Sequence, residues 1–513
     1  MSPTKIHSEV PSSMASSKSA QVEYIEKENT PEGSPARLRH GQAVQQLDEA
    51  AESRLRRKID LHIVPTVAIL YLFCFIDRTN IGNARLSGLE KDLGLKGYDY
   101  NTVLSVFYVS YIIFEIPSNM ACKVIGPGWY LPAVSLGFGV TTVAFAFVRD
   151  INAACGVRFL LGALEAGVLP GVAYYMSRWY RRGELVFRLC LYIVMGPFAG
   201  AFGGVLASAI LSLDHFGGTR SWEMIFAIEG IITVGLSCIA FFTLTDRPET
   251  ARWLSPEEKQ FATQRILSER VGSTELLDKL DVPKTLRGIF NPVGLTTAVV
   301  LLLINITVQG LAFFLPTIVR TIFPDRSVVT QQLLTVPPYT FGSFVVLTIC
   351  WFSWKLDRRN YFMTLGSSIV IPGYIIFLAT TNSMARYIAT FLVAAGSFSF
   401  GALTQAQSAA NVVSDTARSA AIGTTVMFGN IGGLISTWSF LPADGPNYPV
   451  GNGLNLATNS TIVLTTLLLG WWMRMDNKKR DRQSAAGHQA LQEASERQIH
   501  DLDWRHPDFR WKD

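Results

Sequence analysis

RFLLGALEAGVLPG, residues 158–171, places an arginine and a glutamate inside a long apolar run. Arg158 and Glu165 are seven residues apart, and at about 100° per residue a helix returns both to nearly the same face. Gly162 and Ala166 lie on that side too, so a neighbouring helix can approach closely. Pro170 and Gly171 then supply a place to bend. Charges at membrane depth are costly, so they face a bundle interior or an aqueous cavity and act on a substrate or proton. The stretch reads as a membrane-spanning helix with one ionic face.

Composition agrees. Of 513 residues, 49% are hydrophobic and 17% charged, against about 25% charged in an ordinary soluble protein. That balance describes a polytopic membrane protein whose first partner is the lipid bilayer. The net charge of +5 is modest and nothing in it asks for nucleic acid. The six cysteines (Cys74, Cys122, Cys155, Cys190, Cys238, Cys350) sit in or beside apolar spans without paired spacing, which excludes a disulfide framework or zinc site. No metal-ligand spacing, phosphate loop or nucleophile–base arrangement occurs, so neither an enzyme nor a metal or cofactor is expected.

Apolar stretches of about 20 residues predict spans at roughly 60–85, 101–124, 130–148, 152–178, 188–213 and 222–245, then 291–320, 328–354, 361–380, 385–412, 418–440 and 454–475. The expected fold is an all-α membrane protein: twelve transmembrane helices in two six-helix halves. Its divisions are a disordered N-terminal tail (1–58), an N-terminal half (59–246), a central loop (247–290), a C-terminal half (291–475) and a polar C-terminal tail (476–513). Basic residues collect in both tails and the even-numbered connections, as at Arg54, Arg56, Arg57 and Lys58, Arg178, Arg181 and Arg182, Lys355, Arg358 and Arg359, and Lys478, Lys479 and Arg480. By the positive-inside rule both termini are cytoplasmic. The central segment, TDRPETARWLSPEEKQFATQRILSER, alternates acid and base and suits a short amphipathic tether helix.

The halves differ in chemistry. Asp77, Arg78, Glu115, Arg158, Glu165 and Glu229 all lie within or near spans of the first half. In the second, Lys355, Asp357, Asp415 and Arg418 sit at interfaces, and the spans offer Asn305, Gln309, Phe313, Gln405, Gln407, Asn411 and Asn430 instead. Asp77 and Arg78 follow the unbroken apolar run of the first span, and the small-residue sequence IGNA argues that the helix continues past them. The two then point about 100° apart. Asp77 pairing with Arg158 would satisfy both, leaving Arg78 and Glu165 as a mobile base and acid. A guanidinium suits a substrate carboxylate, which it binds as a bidentate fork. Tyr108, Tyr111 and Glu115 share a face of the second span, with Glu115 read as a hinge contact and Glu229 as a packing or gating contact.

These residues resemble a known family. FIDRTNIGNAR (75–85), YIIFEIPSN (111–119), RFLLGALEAGVLPG (158–171), GAFGGVLA (200–207), WEMIFAIEG (222–230), GLAFFLPTIV (310–319) and Asp444-Gly445-Pro446 with Tyr448 are similar to a major facilitator superfamily transporter, and specifically to the allantoate permease family of fungal anion:cation symporters. The resemblance implies proton coupling at Asp77 and Glu165, a substrate carboxylate on Arg78, and Arg158 as ion-pair partner of the first-span acid. Two departures stand out. The connection after the second span carries Lys123 in KVIGPG where the superfamily has an acid-containing gating motif, and Gln407 stands where many fungal members have tryptophan.

The expected function is a proton-coupled symporter that takes up a small organic anion (monocarboxylate, ureide or vitamin-like acid), working as a monomer in the plasma membrane. Substrate contacts are expected from Arg78, Tyr108, Asn305, Gln309, Gln405 and Gln407. Export of a secondary metabolite, hinted at by the glycines of the fifth span, and a non-transporting nutrient receptor are the alternatives.

Overall fold

In the computed structural model the residues described are 49–180, 182–213, 219–267, 282–412, 415–492, 503–507 and 509–512. The N-terminal stretch before Glu49 and the part of the central loop at 268–281 lie outside them, as does Arg181. The first-half helices are α1 (Glu49–Leu86), α2 (Asp99–Ile125), α3 (Pro127–Phe145), α4 (Ile151–Ser177), α5 (Leu191–Leu211) and α6 (Ser221–Thr243). The second-half helices are α7 (Pro292–Ile322), α8 (Val328–Leu356), α9 (Arg359–Ala379), α10 (Ser383–Ala410), α11 (Asp415–Ser436) and α12 (Pro449–Gln492). Eleven are long and apolar enough to cross a membrane. In α11 the apolar part, Ala420–Ser436, is shorter, because the helix opens on polar residues and gives way at Thr437 to successive tight turns.

Residues from Ser53 onward form one compact unit. α1 runs unbroken through Asp77 and Arg78, as IGNA suggested. Asp150 caps α4 by accepting from Ala153 N at 2.8 Å, satisfying one of the amides a helix start leaves open. Small residues then set how closely helices meet. A Cβ on Gly162 of α4 would collide with the Phe107 carbonyl and Ser110 Oγ of α2, and one on Gly432 of α11 with the Leu302 carbonyl of α7.

The two halves are hydrogen-bonded to each other at the end of the bundle away from the first turns of α1. There Asn101 Nδ2 donates to the Thr437 carbonyl at 2.5 Å, and Ser105 Oγ bonds Thr437 Oγ1 and accepts from Trp438 Nε1, both at 2.9 Å. Gly82 of α1 lies under the Phe313 carbonyl of α7, where a Cβ would stand 2.8 Å away.

The described part of the central segment is more than a tether. Its helix Pro256–Leu267 docks on the first half through Lys58–Glu258 at 2.7 Å and Arg265–Glu184, and Trp253 stacks between His62 (4.4 Å) and Trp179 (5.6 Å). The described part of the C-terminal polar stretch also carries structure. α12 continues to Gln492, aided by an Arg480–Asp476 pair at 2.7 Å one helical turn apart, and Trp511 is buried against Val293, Leu469 and Met473.

Candidate functional site

α1 carries two adjacent charges, and its helical twist sends them to different neighbours. Arg78 faces α4, where Nε and Nη2 both donate to Glu165 Oε2, at 3.1 and 2.9 Å. Its guanidinium lies 5.2–5.7 Å from the ring centres of Tyr111, Phe107 and Phe75, a cation–π surround that supports the charge. Glu165 Oε1 has no hydrogen-bond partner. Asp77 instead faces α6, where its Oδ2 accepts from Thr233 Oγ1 at 3.0 Å.

The expected Asp77–Arg158 pair is therefore not made. Arg158 sits two helical turns before Glu165, with its guanidinium over the rings of Phe145 at 5.0 Å and Phe226 at 5.8 Å. Its Nε and Nη2 find no acceptor. The pairing that does form is Arg78–Glu165, because position 78 rather than 77 is turned toward the middle of α4. Asp77 and Glu165 are fully buried, and Arg158 and Arg78 are 1% and 6% exposed.

A cavity opens between the halves beside this pair. Arg78, Asn305, Gln309 and Gln405 line it; Tyr108 and Gln407 do not. Tyr108 packs its ring on Gly433 and edge-on to Phe313. Gln407 points to the C-terminal stretch, donating from Nε2 to the Lys512 carbonyl at 2.8 Å. Two residues of the same α10 turn thus part company, since Gln405 and Gln407 are about 200° apart around the helix.

Of the polar lining, Asn305 Nδ2 donates to the Gly429 carbonyl at 2.9 Å, while Gln309 Oε1 has no partner. Tyr71, Phe75 and Tyr111 line the cavity as well and were not among the expected substrate contacts. A signal existed: Tyr71 precedes Arg78 by seven residues and Phe75 by three, both returning to its face. Asn430 joins the lining and ties the halves together by donating to Glu115 Oε2 at 3.2 Å. Glu115 thus bridges α2 to α11.

Space also supplies the acid that KVIGPG lacks. Asp246, just past α6, accepts from Gly128 N at 3.3 Å and pairs with Arg178 at 3.0 Å. Gly126, at φ 94°, and Gly128 have no side chains, which lets Asp246 lie against the turn: a Cβ on either would be under 3 Å from it. The site as a whole offers a cation, a buried acid beside it and neutral amides across the cavity. That arrangement can hold a small polar ligand and exchange a proton; among the described residues no group of three or more His, Cys, Asp or Glu side chains is placed to hold a metal.

Comparison with known proteins agrees with this architecture. The family model described as Major Facilitator Superfamily matches residues 67–437. An uncharacterized transporter of Schizosaccharomyces pombe is 32% identical over 84% of this chain and 88% of its own length. The MFS-type transporter efuF of Hormonema carpetanum is 31% identical over 85% and 88%, and the major facilitator-type transporter hxnP of Emericella nidulans 27% over 88% and 92%. A solved structure of a bacterial homolog of the human lysosomal transporter Spinster, inward-facing and unoccupied, has a TM-score of 0.57 at 15% identity, covering 82% of this chain and 95% of that one; likeness of that degree shows the fold. With its paired six-helix halves, the cavity between them and a family match across most of both, this chain belongs to the Major Facilitator Superfamily and is a multi-pass membrane transporter.

Proposed function

We propose that this transporter is a proton-coupled symporter that takes up a small organic anion by alternating access. The observation that carries the reading is the Arg78–Glu165 pair, in which Arg78 lines the cavity and Glu165 lies buried behind it. With Glu165 ionised, it neutralises Arg78 and holds two of the guanidinium's donors. A proton arriving on Glu165 weakens that hold and frees the fork for a substrate carboxylate. Proton and anion then favour each other's binding.

Charge accounts for the coupling. The empty carrier with an ionised Glu165 and the loaded carrier with proton plus anion are both neutral at this pair. Either half-loaded form leaves an uncompensated charge, which is costly to bury, so only the empty and fully loaded forms reorient readily. Asp77 is a further proton site in this reading. Asn305, Gln309 and Gln405 contact the remainder of the anion, and their amides select its shape. Both termini are cytoplasmic and the membrane is the plasma membrane, by the distribution of basic residues and the resemblance to fungal uptake carriers.

The test is uptake by yeast cells expressing the protein, with labelled monocarboxylates and ureides at acidic and neutral pH, with and without a protonophore. Accumulation that collapses on adding the protonophore is the expected result. Accumulation insensitive to it, or faster loss of preloaded acid from the cells, overturns the reading.

A further inference from the structure

Glu229 is fully buried in α6 and neither of its carboxylate oxygens has a hydrogen-bond partner. It lies one helical turn before Thr233, whose hydroxyl is 3.0 Å from both the Glu229 backbone carbonyl and Asp77 Oδ2. Asp77 Oδ1 is likewise buried without a partner. Asp77 thus meets α6 at Thr233, on the face that Glu229 shares one turn earlier; both Glu229 carboxylate oxygens lack a donor, while Asp77 also has the Thr142 hydroxyl of α3 near it.

The surroundings offer no cation in contact. α3, which packs along α6, and α5 carry no acidic or basic side chain. Arg78, next to Asp77 on α1, is committed to Glu165. From α4 two charges act on Asp77 without touching it, the Glu165 carboxylate against its ionised form and the Arg158 guanidinium in favour of it; Arg158 rests on Phe145 and Phe226 and forms no ion pair with either acid. A carboxylate buried without an ion pair is costly to ionise, and a second acid near it adds to that cost.

We propose that Asp77 and Glu229 form a proton-binding pair, with Glu229 holding a proton that is exchanged once per transport cycle. The inference deepens the symport reading and rests on it for the word cycle, but the presence of the proton does not. Binding adds one proton to a carboxylate to give a neutral carboxylic acid, and release returns it to water when the neighbouring helices separate. Glu165 then answers to the anion and the Asp77–Glu229 pair to the second proton.

The experiment combines infrared difference spectra of the purified full-length protein, recorded across pH in detergent, with uptake by cells at a series of external pH values. Glu229→Gln removes one acid and keeps its shape. It is expected to lose one protonated-carboxyl C=O band and to move the half-activation pH of uptake toward acid, since the like charge near Asp77 is gone. Thr233→Val removes the donor to Asp77 and is expected to move it the other way, by a smaller amount. If Glu229→Gln does not fold, the band and profile of Thr233→Val decide.

The C=O band unchanged in Glu229→Gln, or both pH profiles superimposed on the wild type, overturns the proposal. A band lost in Glu229→Gln while wild-type uptake ignores a protonophore overturns exchange during transport and the symport reading together, while identifying the bound proton.

Discussion

Arg78 and Glu165 meet through one oxygen: both guanidinium bonds land on Oε2, and Oε1 stays unpartnered. The pair is thus incompletely satisfied on its buried side, behind the cavity that Arg78 lines. One more donor, or a proton, would complete it.

Glu165→Gln mimics the protonated acid permanently. Substrate binding is expected to persist, and so is exchange of external for internal substrate. Net accumulation against a gradient is expected to vanish, the internal-to-external ratio falling to about one. Counterflow and net uptake measured on the same cells check this, and undiminished accumulation would remove Glu165 from the coupling step.

Arg78→Lys keeps the charge but replaces a planar fork by a point charge. It cannot bond Glu165 through two nitrogens while a carboxylate approaches. The KM for the transported anion is expected to rise about tenfold or more, roughly 1.4 kcal/mol or above, with protein abundance in the membrane unchanged. A KM within twofold of the wild type would place the anion elsewhere.

Gly162→Leu is expected to destabilise the first half. Its side chain has no room between α4 and the Phe107 carbonyl, and overpacking costs about 1–3 kcal/mol or more. Gly156, one and a half turns earlier in the same helix, has open space where a Cβ would go, and Gly156→Leu is the matched control. Thermal unfolding in detergent should show a clear loss for the first and little for the second.

Trp511→Ala tests the docked C-terminal segment. Trp511 Nε1 donates to Asp476 Oδ2 at 2.7 Å, its backbone exchanges two bonds with the Asn477 side chain, and Lys512 N donates to Asn411 Oδ1 at 2.8 Å. Losing the indole is expected to lower stability by about 3–5 kcal/mol and to expose residues 509–512 to added protease. Unaltered protease resistance would mean that the segment is held by its backbone bonds alone.

Much of the architecture was legible along the chain. Apolar runs near bilayer length place the helices whatever surrounds them, because backbone polar groups in lipid must be satisfied within the helix. Of the six expected substrate contacts, four line the cavity. Tyr108 and Tyr111 show why the others did not: a three-residue step turns about 300°, so neighbours on one stripe still differ by about 60°, enough to send one ring into the cavity and the other onto Gly433. Gln407 was misplaced for another reason, since its partner lies 105 residues later in the chain.

By itself the sequence determined that the chain spans the membrane many times, that its charges lie in the first half, and that α1 carries an acid and a base on different faces. Those are properties of local composition and helical period. Which base meets which acid was decided only by the tertiary structure: Arg78 rather than Arg158 found its carboxylate, Asp246 filled the place of an absent loop acid, and Asp77 of α1 met the Thr233 hydroxyl of α6. Each depends on the rotation and height at which two helices pack, set by small residues and aromatic rings on both of them, and no single helix carries that information.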